Sequence, residues 1–285
     1  MNRRKTLQLI SSAPLFGSIS RRAESKKETN YSALTELSVN NQSHLSLIHR
    51  KLHYSYDQKP VHWFIQAERQ GLLDNKVQHF WDMHVGFISI TKNLPNDKYE
   101  VTTLSVIFYL NRQTNQLIEE FQNPYTKEVL RIKQPKLRVS TKTYDQFGIT
   151  SQRRPTIGFT MKEYGAIGPA WIIGPEVWCR ADTGFINQPN QNINGKMKVV
   201  NDWSTFNGSI KEIIDSKVNS AYATQVFNDI NTWPTWLNMP SSRGNYISRG
   251  FGFKCWSMES MPIIWKERMK SMYPKQYKDP YAMIS

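Results

Sequence analysis

The amino-acid sequence predicts a mainly β fold of the α+β class, an antiparallel meander curled into a barrel or half-barrel with a few peripheral helices. Several segments alternate apolar and polar residues at a period of two, which is typical of strands that bury one face. Gly and Pro, 14 of each, separate many of these segments. Aromatic residues make up 12% of the chain, which favours sheets over a helical bundle.

The central prediction is an antiparallel meander over residues 99–133. Its first strand contains Val101, Val106 and Phe108, and such β-branched and aromatic side chains suit a pleated, half-buried surface. An Asn-rich turn and an Asn-Pro turn separate the strands that follow. Strands are predicted at 101–108, 117–121 and 128–133, with turns at 111–115 and 122–126.

The flanking segments predict more strands and a few helices. Residues 31–53 contain apolar residues without strand alternation, so one or two short helices are expected there. Apolar residues between Ile210 and Ile230 recur at helical spacing and predict another helix. Further strands are predicted at 61–67, 80–91, 137–144, 156–162, 170–173 and 176–181.

The chain is predicted to comprise an export signal with its linker, residues 1–30, and a single β-rich domain, residues 31–285. Arg3 and Arg4 precede a modest apolar stretch, which resembles a twin-arginine signal read by the export machinery. This interpretation predicts a periplasmic or secreted protein, and a basic tail without a targeting role is the alternative. No other apolar stretch is long enough for a membrane-spanning helix, so no stable membrane span is expected.

The excess of basic residues indicates which classes of partner the protein surface attracts. The formal net charge is +14, and such a surface attracts anions. The sequence has no RNA-binding aromatic motif, zinc-finger spacing or basic-zipper pattern, so no nucleic-acid partner is predicted. The remaining interpretations are a solvated basic surface and a surface that binds acidic polymers.

Only two cysteines are present, Cys179 and Cys255, which excludes a Cys-rich metal site and a disulfide scaffold. They form either one disulfide or two buried thiols. The sequence also has no H-E-x-x-H motif and no glycine-rich phosphate loop, so neither a metal nor a cofactor is predicted.

One candidate acid–base pair is present. Asp82 and His84 are two residues apart in a predicted strand and face the same side. A carboxylate beside an imidazole raises its pKa and orients the ring, as in general acid–base catalysis. Gly86, the next residue on that face, would leave room for a ligand. The alternative is a structural pair at a barrel rim. His49 and His53 share a helical face and could join a metal site with Asp57 or Asp82, but they are interpreted as ordinary surface histidines.

Large aromatic side chains are the other candidate site. They could line the mouth of a barrel that holds a small apolar or amphipathic molecule, with a basic residue binding its anionic group. Burial in the core is the alternative. The candidate ligand-binding residues are Trp81, Tyr109, Trp171, Trp178, Trp236 and Arg249, and Lys254 is a second candidate cation.

The C-terminal region resembles a known family. A W-x-x-W-L-x-M segment, followed by R-G, a Gly, a Lys and Met-Pro, is similar to the family catalogued as domain of unknown function 1838, as are Y-L-N and N-P-x-T segments of the meander. Members are uncharacterised and often carry twin-arginine signals, so the resemblance implies export and no particular reaction. It is carried by Trp233, Trp236, Leu237, Met239, Arg243, Gly244, Gly250, Lys254, Met261, Pro262, Tyr109–Asn111 and Asn123–Glu128, with departures at Asn111, Asn115, Phe121 and Lys127.

The leading functional prediction is a binding protein whose barrel interior takes a small apolar or amphipathic molecule. The alternative is a cofactor-independent isomerase, lyase or hydrolase acting on such a molecule. In that case Asp82 and His84 would be the acid–base pair, and Arg249 or Tyr109 would stabilise an anion. A protein that binds acidic polymers through its basic surface is the third hypothesis.

Overall fold

The fold is organised around one antiparallel sheet of nine strands. The computed structural model of the chain describes residues 37–151, 159–190, 197–239 and 243–284. Strands account for 51% of the described residues and helices for 16%, which confirms the predicted mainly β class. The predicted export signal, residues 1–30, lies outside the described residues.

The described residues contain eleven strands, four α-helices and two short 3₁₀ helices. The strands are β1 (Val61–Leu73), β2 (Lys76–Asn93), β3 (Tyr99–Leu110), β4 (Glu120–Gln122), β5 (Val129–Arg131), β6 (Arg138–Tyr144), β7 (Phe159–Ile173), β8 (Glu176–Pro189), β9 (Lys198–Ser209), β10 (Thr224–Asn231) and β11 (Asn245–Cys255). The α-helices are α1 (Gln42–His53), α2 (Ile210–Ile214), α3 (Ile263–Met272) and α4 (Pro274–Lys278). The 3₁₀ helices are Thr235–Leu237 and Tyr281–Met283.

The sheet consists of two meanders joined at its middle. Its strand order is β6-β3-β2-β1-β11-β10-β9-β8-β7, so β1 and β11 pair at the centre while β6 and β7 are the edges. The sheet curves into a half-barrel, as the sequence predicts. Glu36–Ser285 forms one compact unit.

The segment that follows β6 joins the two edges of the half-barrel. Ile149 forms an antiparallel bridge with Tyr144 at the end of β6. It also donates its backbone N–H to the Gly165 carbonyl of β7 at 3.2 Å. Ile167 of β7 donates in turn to the Phe147 carbonyl at 3.0 Å. The edge strands, which would otherwise leave backbone groups unpaired, are therefore connected at this end of the sheet.

Alternation along β2 builds two hydrophobic clusters on opposite faces of the sheet. Met83 and Val85 belong to the concave cluster, whereas Ile88 packs on the convex face beneath α3. Gly86 also faces α3, and an added Cβ there would overlap the Trp265 indole. The space predicted for a ligand at Gly86 is therefore filled by Trp265, which is wholly buried.

Helix α1 covers one end of the half-barrel. It begins at Asn41, whose side chain accepts hydrogen bonds from the backbone N–H groups of Ser43 and His44. Its buried residues Ile48 and Leu52 face the sheet, and the helix packs against β7, β8 and β9. Within the described ranges, no helix combines the length and the apolar character needed to cross a bilayer.

Three sequence predictions are wrong in detail. The second and third meander strands pair with each other as the separate β4–β5 hairpin instead of extending the main sheet. Two strands are predicted at 156–162 and 170–173, whereas β7 is continuous from Phe159 to Ile173 with one register shift after Ile167; residues 156–158 lie outside the described residues. The helix predicted over 210–230 ends at Ile214, because β10 pairs with β9 on one side and β11 on the other.

The two cysteines are buried free thiols, which distinguishes between the two alternatives left open by the sequence. Burial raises the pKa of Cys179 to about 12 and that of Cys255 to about 11. Both thiols therefore stay protonated at neutral pH and pack as small apolar side chains.

Candidate functional site

A cavity of about 240 Å³ lies on the concave face of the half-barrel at the α1 end. Strands from both halves of the sheet form its walls. The side chains of His49, His53 and Tyr54 form its roof. Small polar residues occupy alternate positions of the wall strands, so their side chains point to the same face. The wall hydroxyls belong to Ser89, Thr103, Ser105, Ser140, Thr183 and Ser204.

Two hydrogen-bonded chains form the roof of the cavity. His49 and His53 are four residues apart on α1, which places both imidazoles on one helix face. His49 Nδ1 lies 3.3 Å from the Tyr99 hydroxyl, and His49 Nε2 lies 3.4 Å from His53 Nδ1. The Tyr54 hydroxyl lies 3.0 Å from that of Tyr144. His53 also stacks on Tyr54 with ring centroids 4.0 Å apart.

Burial keeps the roof imidazoles neutral. It lowers the pKa of His49 to about 3, with a smaller contribution from Lys254. Burial likewise lowers the pKa of His53 well below its usual value, and His49, Lys254 and Lys142 lower it further. Two lysine side chains, Lys254 and Lys142, contribute to the shift of His53, so basic groups lie near the roof of the cavity.

Charged side chains line the remaining cavity wall. Lys142 projects from β6, and its Nζ lies 3.7 Å from Glu163 Oε1 on the opposite edge strand. Arg138, on the same strand, is exposed at the rim, and Asp202 adds a carboxylate from β9. The cavity therefore offers charged groups of both signs, with the cations on β6.

A second cavity of about 510 Å³ lies along the same face of β3. Tyr109 continues the alternation that carries Thr103 and Ser105 into the first cavity, so the two cavities follow one line of side chains. The ring centroid of Trp81 lies 5.2 Å from that of Tyr109 and 5.8 Å from that of Trp236. The second cavity is lined by Tyr109, Trp236, Leu130, Pro135, Arg131 and Lys133.

The structure divides the predicted ligand-binding set. Trp81, Tyr109 and Trp236 come together on the concave side, as described above. Trp171 and Trp178 pair across β7 and β8, and Trp171 is 47% exposed. They occupy positions that alternate with Ala181 and Thr183, which line the first cavity, so they face away from it. Arg249 is exposed in a shallow groove on the convex face.

Asp82 and His84 share one face of β2, as the alternation predicts. That face is the convex one, and the two side chains take different partners. Asp82 Oδ1 lies 2.8 Å from His79 Nε2 and 3.1 Å from Arg112 Nε. His84 Nδ1 lies 2.8 Å from Arg268. Burial and then Arg268 lower the pKa of His84 to about 4 and outweigh the opposite effect of Asp82, so the expected rise is wrong. A catalytic role for the two residues stays a prediction.

A cluster of possible metal ligands surrounds Asp82. One ligand atom each from Glu68, His79 and Asp82 lies within 4.8 Å of the others. The Arg112 guanidinium donates hydrogen bonds to both carboxylates. The carboxylates of Glu68 and Asp82 are therefore already paired with the Arg112 guanidinium in an ion-pair network.

Lys254, the second candidate cation, has a structural role. Its ammonium donates to the carbonyls of Lys51 and Ala221 at 2.8 Å and of Tyr54 at 3.2 Å. The side chain is 3% exposed, and burial lowers its pKa well below the usual value. Lys254 thus satisfies carbonyls at the C-terminal end of α1.

Sequence reasoning missed the polar cavity wall. The sequence predicts a strand over residues 137–144, and a polar inner face is indicated by the alternation of Arg138, Ser140, Lys142 and Tyr144. The helical spacing of His49 and His53 is visible in the sequence, but no sequence pattern connects them to Tyr99.

Comparisons with known proteins identify no relative. No family model, curated protein or solved structure matches the chain. The resemblance to the domain of unknown function 1838 family therefore stays a prediction, which rests on the residues named above.

Proposed function

We propose that this protein binds a small amphipathic molecule with an anionic end on the concave face of the half-barrel. The observation that carries the proposal is the line of cavities along β3. The α1 end is polar, with basic groups near its roof, and the other end combines the rings of Tyr109 and Trp236 with two basic side chains, Arg131 and Lys133. Ligand sites combine apolar walls with a few well-placed polar groups, usually in clefts of roughly 300–1,000 Å³. The two cavities, about 240 and 510 Å³, are close to that range.

The polar end supports an anionic group. Lys142 lines the first cavity and raises the local potential at His53. Hydroxyl groups such as those of Thr183 and Ser105 can donate to an anion, because a hydroxyl rotates to suit its partner. A purely apolar ligand would cover the hydroxyls of Thr183 and Ser105 without offering them a hydrogen bond, which costs free energy, so an amphipathic ligand is favoured over an apolar one.

The other end supports an apolar group. Phe87 and Phe227 line the first cavity and also pack against the cluster that contains Trp81. Tyr109 and Trp236 continue this surface into the second cavity, and Trp236 is 42% exposed. A ligand that covers partly exposed aromatic rings removes apolar surface from water, which favours binding.

Calorimetric titration with 2-naphthoate, decanoate and trans-cinnamate tests the proposal. At least one of these amphipathic carboxylates is expected to show saturable binding at pH 7.5. Thr183→Phe fills the first cavity and should weaken that binding at least tenfold. Thr141→Phe, on the outward face of β6, is the matched control and should bind as the natural protein does.

Arg249→Gln distinguishes the cavity from the convex groove. Binding should be unchanged in this variant, because Arg249 lines only the groove among the described cavities. Loss of binding in Arg249→Gln together with normal binding in Thr183→Phe would place the ligand outside the half-barrel. No saturable binding of any of the three probes would contradict the proposed function.

We also propose that the chain is exported to the periplasm or secreted and that it is related to the domain of unknown function 1838 family. The support is the Arg3-Arg4 pair with its following apolar stretch, together with the C-terminal motif. The two proposals are independent of ligand binding, and localisation of the full chain tests the first of them.

A further inference from the structure

The roof of the first cavity contains a chain of three groups whose proton positions can be deduced. The Tyr99 side chain is 1% exposed, and among the described residues its hydroxyl has a single hydrogen-bond partner, His49 Nδ1. If this hydroxyl accepted, its own proton would be buried without an acceptor, which costs about 1–3 kcal/mol. Tyr99 therefore donates, and His49 Nδ1 accepts.

The direction of this first hydrogen bond fixes the next one. A neutral imidazole carries one proton, so His49 with an acceptor at Nδ1 carries its proton on Nε2. That N–H points at His53 Nδ1, 3.4 Å away. His53 Nδ1 is then an acceptor, and the proton of neutral His53 is on Nε2. Among the described residues, His53 Nε2 has no hydrogen-bond partner, and His53 lines the cavity.

We propose that His53 presents a neutral Nε2–H to the cavity and donates it to a carboxylate oxygen of the bound molecule. Tyr99 and His49 act as positioning residues that hold His53 in this tautomer. Lys142 also lines the cavity and would attract the carboxylate by its positive charge, whereas His53 is the neutral hydrogen-bond donor. The ligand identity depends on the proposed function above, whereas the tautomer does not.

This arrangement makes a chemical distinction between ligands. An N–H donor bonds a carboxylate oxygen more strongly than a hydroxyl oxygen, because the carboxylate is charged. Of two molecules with the same rings, a carboxylate should therefore bind better than the corresponding alcohol. In the opposite tautomer His53 Nε2 would be an acceptor, which an alcohol hydroxyl can donate to and a carboxylate cannot, so the preference would be reversed.

Long-range proton–nitrogen NMR of the full chain labelled with ¹⁵N-histidine tests the tautomer without any ligand. At pH 7.5, His53 is expected to carry its proton on Nε2. Tyr99→Phe keeps the ring that stacks on Tyr144 but removes the hydrogen-bond donor to His49 Nδ1. His49 then no longer favours the tautomer with its proton on Nε2. The Nε2–H population of His53 should fall to about half, with a corresponding loss of about twofold in affinity. Tyr56→Phe, which removes a hydroxyl from the other ring beneath Arg50, is the control and should change neither quantity.

Calorimetry with 2-naphthoate and 2-naphthalenemethanol tests the ligand. His53→Phe keeps a ring against Tyr54 and should weaken the acid roughly tenfold, as expected for a lost hydrogen bond to a charged group, and should weaken the alcohol by a clearly smaller factor. Equal weakening of both probes, or a wild-type His53 protonated on Nδ1, would overturn the inference. If the natural protein binds no carboxylate probe, the ligand assignment is lost with the proposed function, whereas the tautomer is still decided by NMR.

Discussion

Acid should unfold this protein through its buried histidines. Burial lowers the pKa of His49 to about 3 and the pKa values of His62 and His84 to about 4. Lys254 adds to the effect at His49 and Arg268 to that at His84. Because the same groups titrate near 6.5 in an unfolded chain, the unfolded state binds more protons over the range between these values.

The sign and size of the effect follow from that difference. The stability that these imidazoles contribute is complete above pH 6.5 and falls as the pH is lowered towards 4, since between these values each of them is neutral in the folded state and protonated in the unfolded state. One proton taken up on unfolding changes the free energy of unfolding by about 1.4 kcal/mol per pH unit. With His53 included, four such groups give an upper limit of about 5 kcal/mol per pH unit near pH 5. A domain with a typical stability of about 10 kcal/mol would lose it over about two pH units.

Urea unfolding followed by tryptophan fluorescence between pH 7.5 and 5 measures this slope. His49→Gln removes one titrating group, so its slope should be smaller than that of the natural protein by about 1.4 kcal/mol per pH unit. Ser43→Ala, an exposed substitution on the same helix, is the control and should keep the full slope. A natural protein whose stability hardly changes over this range, or His49→Gln with an unchanged slope, would refute the assignment of buried neutral histidines.

Three further predictions concern other parts of the chain. Gly86→Ala should destabilise the fold by about 1–3 kcal/mol in urea unfolding, because the added methyl group displaces α3; unchanged stability would contradict that packing. Cys179 and Cys255 should resist a thiol reagent at pH 8 in the folded protein and both react in urea without reductant, whereas a disulfide would leave no reactive thiol. Replacing Arg3 and Arg4 by Lys should retain the full chain in the cytoplasm, and normal export of this variant would exclude a twin-arginine signal.

The sequence predicts Trp81, Tyr109 and Trp236 as ligand-binding residues because they are large aromatic side chains, and the structure brings these three together on the concave side. The same criterion selects Trp171 and Trp178, which face the other way. Composition alone does not distinguish the two faces of a strand, since a shift of one residue exchanges them.

The sequence by itself determined the fold class, since period-two alternation and turn residues act within a few neighbouring positions. Only the tertiary structure decided which side chains share a cavity. His49 meets Tyr99 across 50 residues, Lys142 pairs with Glu163 on the opposite edge strand, and Trp265 fills the space above Gly86. These contacts depend on sheet curvature and helix packing, which bring together residues that no local pattern connects.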